Sequence, residues 1–184
     1  MATEKKLLES RVVNFFSGKK EYRSLSNFWE NDVQIGSRVY ESGEHCFHGE
    51  KYFRLGELCL DENRRTKLIE YGKRFLKPSM FMTPVIAKRM GGKKGLCLTF
   101  EELDIWNTVS IEVQKDICAF KYKNYEEVRD DLMKSGDKIL IHPAMRCSEE
   151  KLAHRIWEGK AVIRNGGVEV LGKNMLGNLW VEYR

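Results

Sequence analysis

The sequence predicts an α+β fold, predominantly helical, as a single domain with a small antiparallel sheet or hairpin. Apolar residues recur at close to helical spacing over residues 101–122 (Leu103, Trp106, Val109, Val113, Ile117, Phe120). Short β-branched or aromatic runs, several bounded by glycine, stand apart from that helix. A chain of 184 residues suits one domain, and 42% hydrophobic content with four Trp, nine Phe and seven Tyr supplies its core.

Taken in order, "RVVNFF" (11–16) reads as a strand, and "DVQIGSRVY" (32–40) as a hairpin turning at Gly36 and Ser37. Ser42 is a fair helix cap, and Glu44 in the first turn suits the helix dipole. A charged helix is expected over residues 60–74. Thr83 and Pro84 start a short helix that Gly91 and Gly92 end. After the central helix come a helix at 124–134, a strand at "KILIH" (138–142) and a helix at 148–157. "AVIRNGGVEVLGKN" (161–174) is a loop or hairpin, and "NMLGNLWVEY" (174–183) a helix or a strand.

The net charge of +5 favours anionic partners mildly. Its basic residues are scattered, with small clusters at Lys19-Lys20, Arg64-Arg65, Lys88-Arg89 and Lys93-Lys94. A phosphorylated metabolite or a nucleotide end fits this better than a long duplex. Five widely spaced cysteines without a C-x-x-C pair read as a reducing compartment, and no apolar run is long enough for a leader or a membrane span. A cytoplasmic protein, monomeric and without membrane contact, is expected.

The stretch "SGEHCFHGEKYF" (42–53) concentrates reactive side chains. On a helix, residues seven apart differ by only about 20° in direction. Glu44 and Lys51 therefore share a face with His48 between them, while Phe47 can pack inward from one flank. A zinc site fits poorly: His45, Cys46 and His48 lack the H-E-x-x-H order, and no distant cluster completes a shell. No metal is expected. Either a solvated amphipathic helix with paired charges or a working carboxylate–lysine pair accounts for the pattern.

The surroundings resemble the NADAR (NAD and ADP-ribose) family. That resemblance rests on "NFFS" (14–17), "SNF" (26–28), the hairpin, "EHCFHGEKYF" (44–53) and "AKRMGG" (87–92). It continues in Trp106 followed by "AFKY" (119–122), "IWEG" (156–159) and "GKNMLGNLWVEYR" (172–184). It covers residues 14–184, leaving 1–13 as an N-terminal extension. The family includes YbiA-like N-glycosidases of riboflavin-pathway intermediates and enzymes that remove ADP-ribose from guanine. The resemblance implies a YbiA-like domain that hydrolyses N-glycosidic bonds to ribose, with a pocket for ADP-ribose or a ribose phosphate and no cofactor. ADP-ribosylated guanine, in DNA or as a nucleotide, is then the expected substrate.

In such chemistry Glu44 would act as acid or base on an oxocarbenium-like state. Lys51 would bind sugar or phosphate, or exchange into the ring-opened imine as a Schiff base. Asn27 offers an amide to ribose hydroxyls or a ring edge and is nearly as well suited to a turn, and Ser26 beside it is a candidate substrate contact. Tyr22 and Phe28 can stack on a base or pack in the core. His48 belongs to the same helix face. Arg89 and Lys93, beside Gly91, suit phosphate or a solvated helix end. Trp106 covers the ligand or the core, and Lys121 pairs with Glu44 or phosphate or stays solvated. Trp157, Asn174 and Gly177 are carried by the resemblance.

Three departures stand out. Gly43 occupies a position usually Ser in the family; His154 lies three before Trp157, where an acid is frequent; and residues 54–82 are longer than in bacterial relatives. The competing function is a non-catalytic ADP-ribose- or NAD-binding module, which His154 keeps open. A nucleic-acid-binding domain has only the modest charge behind it.

Overall fold

The helix-rich α+β expectation holds in the computed structural model, which describes residues 2–18 and 20–184, with side chains from residue 4 onward; the cluster member Lys19 lies outside the described residues. In chain order the elements are α1 (Ala2–Arg11), β1 (Val12–Asn14), β2 (Val33–Ile35), β3 (Arg38–Tyr40), α2 (Gly43–Leu58), α3 (Glu62–Lys73), α4 (Pro84–Gly91), α5 (Phe100–Asn124), α6 (Glu126–Ser135), β4 (Ile139–Ile141), α7 (Glu149–Ala153), β5 (Lys160–Arg164), β6 (Gly167–Leu171) and α8 (Met175–Val181). They form two compact units. One takes the residues up to Ser26 together with Tyr125–Arg184, and the other is Asn27–Asn124.

In the Asn27–Asn124 unit, β2 and β3 form the expected hairpin, Val33 facing Tyr40 and Ile35 facing Arg38. Helix α2 follows directly and packs against α3, α4 and α5. Around it lies an aromatic core that includes Tyr40, Tyr52, Leu68, Tyr71, Phe75, Phe81 and Trp106, closed by Val113 and Ile117 of α5. Ring pairs such as Tyr52–Tyr71 at 4.7 Å and Phe75–Phe81 at 4.6 Å meet edge to face, the arrangement that ring quadrupoles favour. One buried carboxylate stands inside this core. Glu50 accepts from Arg38 at 2.7 and 2.9 Å, from the Tyr40 hydroxyl at 2.7 Å and from Arg54 at 3.3 Å. Those donors are why a charge with no solvent exposure is tolerated there. The Arg64-Arg65 cluster is also structural: Arg64 grips Glu102 through two bonds, at 2.7 and 2.6 Å, and Arg65 donates to the Cys59 carbonyl oxygen.

In the other unit β1 runs parallel to β4, Val12 opposite Ile139 and Asn14 opposite Ile141, and β5–β6 is an antiparallel hairpin. The strand expected over residues 11–16 narrows to Val12–Asn14, and Phe15 adds one more bond to the Ile141 carbonyl. Helix α1 occupies residues for which no element is predicted. The helix expected at 148–157 ends at Ala153, because the carbonyls of Arg155, Ile156 and Glu158 receive the N–H groups of Lys173, Met175 and Asn174. Backbone bonding to a distant segment replaces the helical ladder there. The closing segment is a helix, with Trp180 fully buried and its indole N–H on the Leu25 carbonyl at 2.9 Å.

Candidate functional site

Helix α2 begins where the sequence marks it. Ser42 is extended, and its hydroxyl oxygen accepts the His45 N–H at 3.2 Å. The His45 ring is tied at both ends, to the Ser42 hydroxyl at 2.8 Å and to the Phe81 carbonyl at 2.5 Å. A carbonyl only accepts, so Nε2 carries the proton and Nδ1 takes the serine O–H. His45 is thus a buried strut holding the start of α2 to the segment before α4.

One helical step earlier, Glu44 is 7% exposed and its N–H is held by the Asn27 carbonyl at 2.8 Å. Its carboxylate meets His48 Nε2 at 3.1 Å, one turn along the same face. Burial depresses the His48 pKa below the usual value, more than the Glu44 carboxylate raises it, and the Lys51 and Lys88 ammoniums lower it further. The ring is therefore neutral near pH 7, its Nε2–H donating to Glu44 and its Nδ1 without a hydrogen-bond partner among the described residues. A methyl group on Gly91 would run into this imidazole, so only glycine lets α4 approach so closely.

Lys51 lies one turn beyond His48, is 7% exposed and donates from its ammonium to the Gly91 carbonyl oxygen. It forms no ion pair with any described residue, and its nitrogen stands 4.9 Å from the centre of the Tyr52 ring. Burial alone brings its pKa from 10.5 down to about 8. This is a carboxylate, a neutral imidazole and a readily deprotonated amine on one face of one helix, closed by the C-terminal turn of α4.

The other candidates of this unit sort by what they touch. Phe28 is half-buried, with the Lys88 ammonium 5.3 Å from its ring centre. Lys88, named in the sequence only as part of a basic cluster, thus joins Phe28 to His48, a juxtaposition that no periodicity displays. Asn27 is engaged at both ends of its amide, giving to Gln114 at 2.7 Å and receiving from it at 3.1 Å. Gln114 went unnoticed because it looks like any surface glutamine in the α5 pattern. Arg89 and Lys93 are exposed at the C-terminal end of α4, where cations suit the helix dipole. Trp106 is a core residue, its ring 4.9 Å from that of Phe47. Lys121 is 1% exposed with its ammonium 5.6 Å from the Trp29 ring centre.

Tyr22, Ser26, Trp157, Asn174 and Gly177 belong to the other unit. Tyr22 adopts a left-handed backbone, φ 58°, and Ser26 is buried with its N–H on the Arg23 carbonyl. Asn174 pins α8 to β4: its side chain donates to the Leu140 carbonyl at 2.8 Å and accepts the His142 N–H at 3.1 Å. Gly177 has no room for a side chain against that same Leu140 carbonyl. Trp157 is half-buried before β5, and His154 is exposed at the end of α7. Among the described residues no three His, Cys, Asp or Glu side chains converge on a metal-sized space, and no helix is long and apolar enough to cross a membrane.

No protein-family model and no curated protein sequence matches this chain. Among solved structures it is similar to the NMR structure of the E. coli protein YbiA. The two share 24% identity and a TM-score of 0.58, over 95% of this chain and 83% of that one. The likeness is one of fold: this is a YbiA-like α+β chain.

Proposed function

We propose that this protein is an N-glycosidase that cleaves the bond between ribose and an amine-bearing base, acting on ADP-ribosylated guanine in DNA or as a nucleotide. The observation that carries the reading is Lys51: buried, without a counter-ion, with a pKa near 8, one turn from a Glu44–His48 pair. Keeping an unpaired ammonium there lowers stability, and such sites are where chemistry is placed. The YbiA-like fold and the "EHCFHGEKYF" motif agree with this reading.

An N-glycoside on an exocyclic amine opens to an imine when the amine N–H proton is transferred to the ring oxygen and the C1–O bond breaks. Neutral Lys51, about a tenth of the population at pH 7 with a pKa of about 8, adds its lone pair to C1. Glu44 carries a proton from the newly bonded Nζ to the departing base nitrogen, the C1–N bond to the base breaks, and ribose remains as an iminium on Lys51. Water then adds at C1, the C1–Nζ bond breaks, and the freed aldehyde recloses to the sugar. Phe28 would stack on the base, Trp106 would shape the wall of the site, and Lys88, Arg89, Lys93 and Lys121 would hold phosphates. Asn27 and Gly91 position the carboxylate and the lysine. Ser26, Asn174, Gly177 and Trp157 support their own unit.

The test is mass-resolved hydrolysis of ADP-ribosylated guanosine by wild type, Glu44→Gln and Lys51→Ala, with borohydride trapping. ADP-ribose released by wild type alone, with a ribosyl adduct on the wild type and none on Lys51→Ala, is the expected result. Tight ADP-ribose binding without turnover would instead select the binding-module reading, which His154 favours, since an exposed histidine stands where the resembling family carries an acid.

A further inference from the structure

A cavity of about 460 Å³ opens in the unit formed by the residues up to Ser26 and Tyr125–Arg184, bounded by α1, β1, the start of β5 and the Glu21–Tyr22 turn. Its volume falls in the range of about 300–1,000 Å³ that small-molecule sites occupy. Several polar groups around it lack protein partners among the described residues. Neither the Asn14 amide nor the Tyr22 hydroxyl hydrogen-bonds to a described residue, and Lys160 forms no ion pair with one. Lys138 spends its ammonium on a backbone carbonyl, that of Glu9 at 3.2 Å, rather than on a carboxylate. Lys5 is 3.9 Å from Glu9, an exposed pair that contributes little.

The backbone at Tyr22 adds an independent sign. A bulky residue at φ 58° and ψ 14° sits in a left-handed conformation that disfavours a side chain. Strain of this kind collects at ligand clamps. Tyr22 is one of the residues that line the cavity. Among the residues on that wall are one tyrosine, one amide, two carboxylates (Glu21, and Glu9 beside Lys5) and two ammoniums, Lys138 and Lys160, without carboxylate partners among the described residues.

We infer that this cavity binds a mononucleotide, with the base on the face of Tyr22, ribose hydroxyls on Glu21 and Asn14, and the phosphate between Lys138 and Lys160. Three features argue for that class. Phosphate needs cations that no carboxylate has already neutralised. A planar base exploits the aromatic face. The carboxylate Glu21 repels phosphate and accepts from hydroxyls, so the anionic end is directed to the lysines. The site consists wholly of residues outside Asn27–Asn124, and none of them takes part in the chemistry proposed for Glu44 and Lys51.

The experiment is amide NMR of the full chain titrated with AMP, ribose 5-phosphate, inorganic phosphate and adenosine, repeated on a Lys138→Ala/Lys160→Ala double variant, on Tyr22→Ala and on Glu44→Gln. AMP should bind more tightly than ribose 5-phosphate and phosphate, moving amides at residues 12–14, 21–22, 138 and 159–161. The lysine variant should weaken AMP about tenfold, the loss of roughly 1.4 kcal/mol of charged contacts, with an unchanged spectrum elsewhere showing that it folds. Tyr22→Ala should bring AMP down to the affinity of ribose 5-phosphate, and Glu44→Gln should leave AMP affinity at this site unchanged. The proposal is overturned by AMP shifts confined to α2 and α4, by equal affinity for AMP and inorganic phosphate, or by lysine variants that bind AMP as wild type does.

Discussion

The Lys51 ammonium donates to the carbonyl oxygen of Gly91, and the glycine's bare α-carbon lies against the imidazole of His48. One residue of α4 thus positions two groups of α2. Its role is a matter of space: any side chain at Gly91 occupies the room of the His48 ring.

Gly91→Ala is therefore expected to push His48 away from Glu44 and carry off the Gly91 carbonyl. Overpacking of this kind costs about 1–3 kcal/mol. Thermal unfolding should show that loss, and the proposed glycosidase turnover should fall much further than the residual folded fraction explains. A variant with wild-type turnover would show that the His48 position is irrelevant.

Lys51→Met should stabilise the protein while abolishing turnover. Bringing the lysine from 10.5 to about 8 costs the protonated state roughly 3 kcal/mol. Losing the bond to the Gly91 carbonyl offsets about 1 kcal/mol of the gain. Between pH 8 and 10.5 the unfolded chain holds this proton and the folded chain does not, so the wild type gains stability as pH rises through that window. Denaturant melts at pH 7 and pH 10 should show the advantage of the methionine variant shrinking. A constant difference would refute the lowered pKa.

The rate should follow the same ionisation. If neutral Lys51 is the nucleophile, kcat/KM should rise with pH and level off above about 8. The lowered His48 pKa places its protonation below the ordinary histidine range, so any acid limb from this ring lies at lower pH. A flat profile from pH 6 to 9 would argue for Lys51 as a binding group alone.

Gly43 meets Asn27: a Cβ there would lie 2.8 Å from the Asn27 amide oxygen and 3.1 Å from its α-carbon. Asn27 cannot swing aside without breaking its paired bonds to Gln114. Gly43→Ser should cost about 1–3 kcal/mol by overpacking, and Asn27→Ala should relieve part of that penalty. A double-mutant cycle on melting temperature measures the coupling; strict additivity would contradict the contact.

Glu50→Ala should be the most destabilising of these changes, by about 3–5 kcal/mol, because it strands Arg38 beside a buried Tyr40 hydroxyl. Circular dichroism melts would register it, and a loss under 1 kcal/mol would mean that water replaces the carboxylate.

What the sequence by itself determined is local. The Ser42 cap, the Thr83–Pro84 start, the hairpin at Gly36 and the spacing of Glu44, His48 and Lys51 follow from propensities and periods that act within a turn or two. The helix-rich α+β class follows from the same patterns. Which reactive residues of α2 are structural was decided only in three dimensions. His45 and Glu50 look as reactive as Glu44 and Lys51 on paper, and become struts because Phe81, Arg38 and Tyr40 arrive from elsewhere in the chain. The early end of α7, the parallel pairing of β1 with β4 and the contact of Lys88 with Phe28 are likewise tertiary. Each depends on closing a loop between segments remote in sequence, and neither composition nor periodicity encodes which partner will satisfy a given carbonyl, charge or ring.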